Sequence, residues 1–91
     1  MKVSIIGPIY NEEEIIEEFY ESLKMTLDKI DFELIFINDG SKDKSLEKIK
    51  KIAKKDKNVK IISFSRNFGK EAALYAGLKN SNGDYIAIID T

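Results

Sequence analysis

Cysteine and histidine are both missing from these 91 residues. Without cysteine there is no disulfide framework, no zinc–thiolate site and no sulfur nucleophile, a composition consistent with a reducing cytoplasm. Without histidine there is no imidazole base. Neither charge is in excess: the formal net charge is −1. That argues against nucleic acid as a partner, which usually needs a basic surplus. No apolar run approaches the roughly 18 residues of a membrane span. The start, Met1 to Ile6, is too short and too soon interrupted for a signal peptide and reads as a strand. The glycine-rich phosphate loops G-x-x-x-x-G-K-S/T and G-x-G-x-x-G do not occur. Internal repeats, low-complexity linkers and an internal domain boundary are also absent.

What is present fits one small globular domain, with 43% apolar and 34% charged residues. Charge is segregated. Glu12, Glu13, Glu14, Glu17, Glu18 and Glu21 cluster early, and Lys42, Lys44, Lys48, Lys50, Lys51, Lys54, Lys55, Lys57 and Lys60 follow in the middle. Two solvated helix faces account for this; an anionic membrane or substrate is the functional alternative for the lysines.

Strand and helix alternate along the chain. Val3 to Gly7 is a short β-branched run that Pro8 is expected to end. Asn11 is expected to cap a first helix, with Glu14 completing a capping box. Ile16, Phe19, Tyr20, Leu23, Leu27 and Ile30 recur at helical spacing, so that helix is predicted from about Glu12 to about Ile30. Phe32 to Ile37 is a second strand, and Asn38-Asp39-Gly40-Ser41 a turn. Ser41 or Asp43 is expected to cap a second helix whose Leu46, Ile49, Ile52 and Ala53 face inward. Val59 to Phe64 is a third strand, and Glu71 to about Lys79 an alanine-rich helix ended by Asn80-Ser81-Asn82-Gly83. Tyr85 to Ile89 is a fourth strand.

Short apolar strands separated by helices predict a Rossmann-like α/β fold: a parallel sheet of about four strands with both faces covered. In such sheets ligands bind beyond the carboxyl ends of the strands. Polar groups from four loops fall there, and their types suit a nucleotide. Asp39 can accept from base N–H groups or ribose hydroxyls. Tyr10 can pack on a base. Arg66 and Lys70 can neutralise a diphosphate. Asp90 can hold a divalent cation bridging it. Each also has a plainer reading: Asp39 as turn and cap, Lys70 and Arg66 as exposed cations, Tyr10 as a core aromatic, Asp90 as a strand-end turn residue.

Four stretches carry a resemblance. Pro8-Ile9-Tyr10-Asn11-Glu12, Asn38-Asp39-Gly40-Ser41-Lys42-Asp43 and Asp84-Tyr85-Ile86-Ala87-Ile88-Ile89-Asp90 resemble the ordered motifs of family 2 glycosyltransferases, enzymes of GT-A fold that use nucleotide-diphosphate sugars. Ser65-Arg66-Asn67-Phe68-Gly69-Lys70-Glu71-Ala72-Ala73-Leu74, followed by Ala76-Gly77-Leu78, resembles the branch that transfers sugars to polyprenyl phosphates, the dolichyl- and undecaprenyl-phosphate sugar transferases. The resemblance implies that Pro8, Tyr10 and Glu12 line the base and ribose pocket, that Asp39 reads base or ribose, and that Arg66 and Lys70 lie near the diphosphate. It makes Asp90 the first acid of a D-x-D site for Mg2+ or Mn2+. The catalytic base and second acid are expected beyond Thr91, so residues 1–91 read as the nucleotide-sugar-binding half of the enzyme, inactive alone. One departure is Gly7, where the family usually has a larger apolar residue.

The resemblance further implies a UDP- or GDP-sugar donor, a lipid phosphate acceptor, inversion at the sugar, and a parent enzyme at the cytoplasmic face of a membrane. A free-standing nucleotide-binding module is the alternative. A receiver-like signalling domain is disfavoured, because Pro8 and Tyr10 stand where it needs an acidic pair. The expected sheet order is three, two, one, four, which leaves strand 85–89 as an apolar edge and predicts a homodimer through it.

Overall fold

The computed structural model describes residues 1–89. Its elements run β1 (Lys2–Ile9), α1 (Ile16–Thr26), β2 (Asp31–Asn38), α2 (Ser45–Lys55), β3 (Val59–Ser63), α3 (Lys70–Lys79) and β4 (Tyr85–Ile88). The strands form one parallel sheet in the order β3-β2-β1-β4, as expected.

Alternation along each strand divides the core into two layers. On one face Ile5, Ile9, Leu34, Phe36 and Val59 meet Ile16, Tyr20, Leu23, Ile49 and Ile52 of α1 and α2. On the other, Ile6, Ile35 and Ile37 meet Ala73 of α3. Burying each large aliphatic side chain contributes roughly 1.5–3 kcal/mol, which makes the central strands β1 and β2 the stable part of the molecule. α3 sits very close to the sheet: a Cβ on Gly77 would come within 2.6 Å of Ile6 Cγ2.

Several boundaries differ from the sequence expectation. β1 does not stop at Gly7 but continues through Pro8 to Ile9. The Ile6 carbonyl accepts from Ile89 N–H on the β4 side, whereas the Ile9 carbonyl accepts from Asp39 N–H on the β2 side. Alternate residues face alternate neighbours, so the proline nitrogen faces the β4 side, beyond the last residue paired there, Ile6 with Ile88. The missing N–H thus falls at the end of the β1–β4 ladder and interrupts none of the pairs before it. The first helix is shorter than predicted, Ile16–Thr26, and Ile30 lies outside it and is exposed. Asn11 is not its cap: it adopts a left-handed φ of 50° and is used elsewhere. α2 starts at Ser45, later than a cap at Ser41 would allow; Asp43 accepts from Ser45 N–H at 2.9 Å just ahead of it.

An ion pair between a buried carboxylate and an exposed lysine closes the N-terminal end of the sheet. Glu33, 1% exposed, accepts from Ser4 Oγ at 2.5 Å and from Asn82 N–H at 2.6 Å, and meets Lys60 Nζ at 2.7 Å. Ser4 Oγ in turn accepts from Gly83 N–H. Burial alone would raise the Glu33 carboxyl; the Lys60 ammonium, the Ser4 hydroxyl and the Asn82 N–H outweigh it and hold the group at about 2. This cluster ties the α3–β4 connection to β1, β2 and β3.

Candidate functional site

The C-terminal edge of the sheet is built from three loops that bind one another. The β1–α1 loop is stitched to the β2–α2 loop. Asn11 N–H donates to Ser41 Oγ (3.0 Å), and Asn11 Oδ1 accepts from Lys42 N–H (2.7 Å). Glu12 N–H donates to Ser45 Oγ (3.0 Å), and Glu13 N–H to Asp43 Oδ2 (3.2 Å). Asparagine tolerates the left-handed backbone that lets its side chain make this link. Burial would raise the Asp43 carboxyl, but the Ser45 hydroxyl and the Ser45 and Glu13 N–H groups keep it below the usual carboxylate range.

The β2–α2 loop is joined to the β3–α3 loop through Asp39. This residue is 4% exposed. Its Oδ1 accepts from Phe68 N–H at 2.8 Å; its Oδ2 accepts from Gly69 N–H and Asn67 Nδ2, each at 3.1 Å. Gly40, at φ 70°, allows the two loops to touch: a Cβ there would lie 2.2 Å from the Arg66 carbonyl carbon. Asn38 braces the same corner, donating to Ser63 Oγ and accepting from Ser41 N–H. The Arg66 guanidinium lies over the Phe68 ring, 4.9 Å from its centroid, and Phe68 packs edge-on against Phe64.

These loops enclose a cleft of about 580 Å³, lined by Tyr10, Asn38, Ser41, Lys42, Arg66 and Asn67 among others. A larger groove of about 700 Å³ lies between α1 and α2 towards the opposite end of the strands, where the Tyr20 hydroxyl donates to Asp56. Its walls mix Glu17, Glu21 and Asp28 with Lys24, Lys51 and Lys55, and it contains none of the expected site residues. The smaller cleft is the candidate site because it lies where parallel α/β sheets bind ligands.

Of the expected site residues, Tyr10 and Arg66 line this cleft together. Tyr10 is exposed, not a core aromatic. Asp39 lies buried behind the cleft with its carboxylate turned to the β3–α3 loop. Pro8 is buried in β1, and Glu12 is half-buried, its Oε1 accepting from Tyr10 N–H at 3.4 Å. Lys70 is exposed in the first turn of α3. Asp90 lies outside the described residues. Among the described residues no cluster of three or more acidic, histidine or cysteine side chains forms a metal site. Asn67 and Lys42 join the cleft without having been singled out for it; both stand inside the motif stretches, the one available signal.

The fold is a parallel α/β sheet with a cleft at the carboxyl ends of its strands, and comparison with known proteins gives the family. The family model described as glycosyl transferase family 2 matches residues 4–91, and the chain belongs to that family. It is 47% identical to the uncharacterized glycosyltransferase YkcC of Bacillus subtilis, over 99% of this chain and 28% of that protein. It is 46% identical to the bactoprenol glucosyl transferase of Shigella phage SfV, over 99% of this chain and 30% of that protein. The chain therefore spans less than a third of the length of these curated relatives. Among solved structures, S. aureus TarS 1–349 in complex with UDP superposes with a TM-score of 0.83 at 30% identity, covering 99% of this chain and 27% of that one. The mannosyltransferase PcManGT of Pyrobaculum calidifontis, in complex with GDP-Man and Mn2+, gives 0.84 at 25% identity, covering 97% and 26%. The GT-A expectation for the fold thus holds.

Proposed function

We propose that residues 1–91 form the nucleotide-diphosphosugar-binding part of an inverting glycosyltransferase whose acceptor is a polyprenyl phosphate. The observation that carries this reading is the convergence of Tyr10 and Arg66 on one cleft at the C-terminal strand edge, with Asp39 directly behind it. An aromatic face, a guanidinium and amide groups suit a base and a diphosphate in one pocket. The TarS structure holds UDP and the PcManGT structure GDP-Man, which supports a UDP- or GDP-sugar donor here. Likeness to bactoprenol glucosyl transferases supports the lipid phosphate acceptor.

In this reading Pro8, Tyr10 and Glu12 shape the base and ribose end, and Arg66 and Lys70 face the diphosphate. Opposite charge at the diphosphate stabilises the leaving group as the acceptor oxygen displaces it. Asp90 is assigned to Mg2+ or Mn2+; PcManGT carries Mn2+. The described residues alone do not supply such a site. No helix among them is long and apolar enough to cross a membrane. We assign the parent enzyme to the cytoplasmic face of a membrane, where a lipid acceptor is reached.

Titration of the 15N-labelled chain with UDP and with GDP tests the reading. One of them is expected to shift the amides of Tyr10, Asn38 to Lys42, Arg66 and Asn67. Shifts confined to the α1–α2 groove, or none at millimolar ligand, would refute it. A self-association belongs to the same proposal: β4 is an edge strand whose Ile86 and Ile88 are 45% and 49% exposed, a surface suited to pairing with a second copy.

A further inference from the structure

We propose that Asn82 is a site of spontaneous covalent modification, converting to isoaspartate at a rate that the Ser4 hydroxyl limits, and that the product dismantles the Glu33 cluster. Of the chain's six asparagines, only Asn82 is followed by glycine. The reaction begins when the backbone nitrogen of the next residue attacks the asparagine Cγ. A side chain on that next residue obstructs the approach, and glycine has none. Packing fixes the glycine: a Cβ on Gly83 would lie 2.6 Å from both the nitrogen and the Oγ of Ser4, and 2.9 Å from the Lys2 carbonyl oxygen. The close approach of this turn to β1 therefore imposes the reactive neighbour, and Asn82 itself is exposed to water.

Water is the only co-reactant. The Gly83 nitrogen bonds to Asn82 Cγ, the Cγ–Nδ2 bond breaks, and the amide nitrogen leaves as ammonia with the proton that Gly83 gives up. Water then opens the cyclic imide and returns a proton to the Gly83 nitrogen. Addition at Cγ gives aspartate. Addition at the main-chain carbonyl carbon gives isoaspartate, with the chain now running through Cβ and Cγ. In the folded chain the Gly83 N–H donates to Ser4 Oγ at 2.7 Å, which holds the proton and the nitrogen in place until the bond opens. The Asn82 N–H donates to Glu33 Oε2 at 2.6 Å, and Ser4 Oγ donates to the same oxygen at 2.5 Å. Two consecutive N–H groups thus meet two acceptors that are bonded to each other, which fixes the spacing between them. An extra backbone carbon between those N–H groups breaks the match. The new carboxylate at this position also repels the buried one that the N–H touches.

Ageing the 91-residue chain in mildly alkaline buffer tests this, with peptide mapping by mass spectrometry and isoaspartyl methyltransferase labelling. Asn82 should convert before any other asparagine, with isoaspartate the larger product. Ser4→Ala should speed the conversion about fivefold, in step with faster hydrogen exchange at the Gly83 amide. Urea-unfolded parent chain guards against a Ser4→Ala variant that does not fold; it should convert at least about tenfold faster than the folded parent. The isoaspartyl form, separated by ion exchange, should unfold at a lower urea concentration than the parent. Conversion spread evenly over the asparagines, a folded Ser4→Ala no faster than the parent, an unfolded parent no faster than the folded one, or an isoaspartyl form as stable as the parent would each overturn the proposal.

Discussion

Glu33→Gln removes the charge of a buried carboxylate whose partner, Lys60, stays 45% exposed. The carboxyl drops from an ordinary 4.5 to about 2 in the folded chain. At about 1.4 kcal/mol per pH unit, that difference corresponds to about 3 kcal/mol of stability at neutral pH. Domains of this size are stable by only roughly 5–15 kcal/mol, so the loss would be plain. The folded value lies below the unfolded one, so the contribution is complete above about pH 4.5 and disappears as pH falls through about 2. Urea unfolding of parent and variant across this range isolates Glu33, because the other carboxylates titrate in both proteins. The gap between them should be about 3 kcal/mol near pH 7 and shrink to about 1.5 kcal/mol near pH 3. A gap that stays constant with pH, or one below about 1 kcal/mol at neutral pH, would refute the account of Glu33 as an ionised, paired carboxylate. The α3–β4 connection should loosen with it, since Asn82 N–H loses its charged acceptor.

Gly77→Ala should destabilise the chain by about 1 kcal/mol or more in thermal unfolding, because its new methyl meets Ile6 Cγ2 and a buried β-branched residue cannot yield. The better helix propensity of alanine offsets part of that cost. Tyr20→Phe should cost about 1–2 kcal/mol: burial, and the bond to Asp56, hold the Tyr20 phenol above its ordinary range, and Asp56 would lose its donor. Ile88→Lys should keep the chain monomeric in light scattering where the parent associates with rising concentration; a parent that stays monomeric would rule out pairing through β4.

The strand–helix alternation and sheet order were legible because they follow from local apolar patterning and from the handedness of parallel crossovers. Ile49 and Ile52 face inward as their spacing requires, and three polar loops reach one edge because the described strands all run the same way. Which of those polar groups face a ligand and which face one another is a tertiary matter. Asn11 has the composition of a helix cap, yet it links two loops thirty-one residues apart. Pro8 reads as a terminator, yet its nitrogen faces the side of β1 past the paired part of β4, so the strand continues. Asp39 reads as a turn residue or a ligand contact, and the packing of Gly40 against Arg66 turns it towards the next loop. Glu33, one letter inside an apolar run, carries no sequence sign of burial. Its charge is tolerated because Ser4, Lys60 and Asn82, from three other parts of the chain, meet it at one point. Patterning sets which face a residue takes; hydrogen-bond partners distant in sequence are chosen only when the loops pack together.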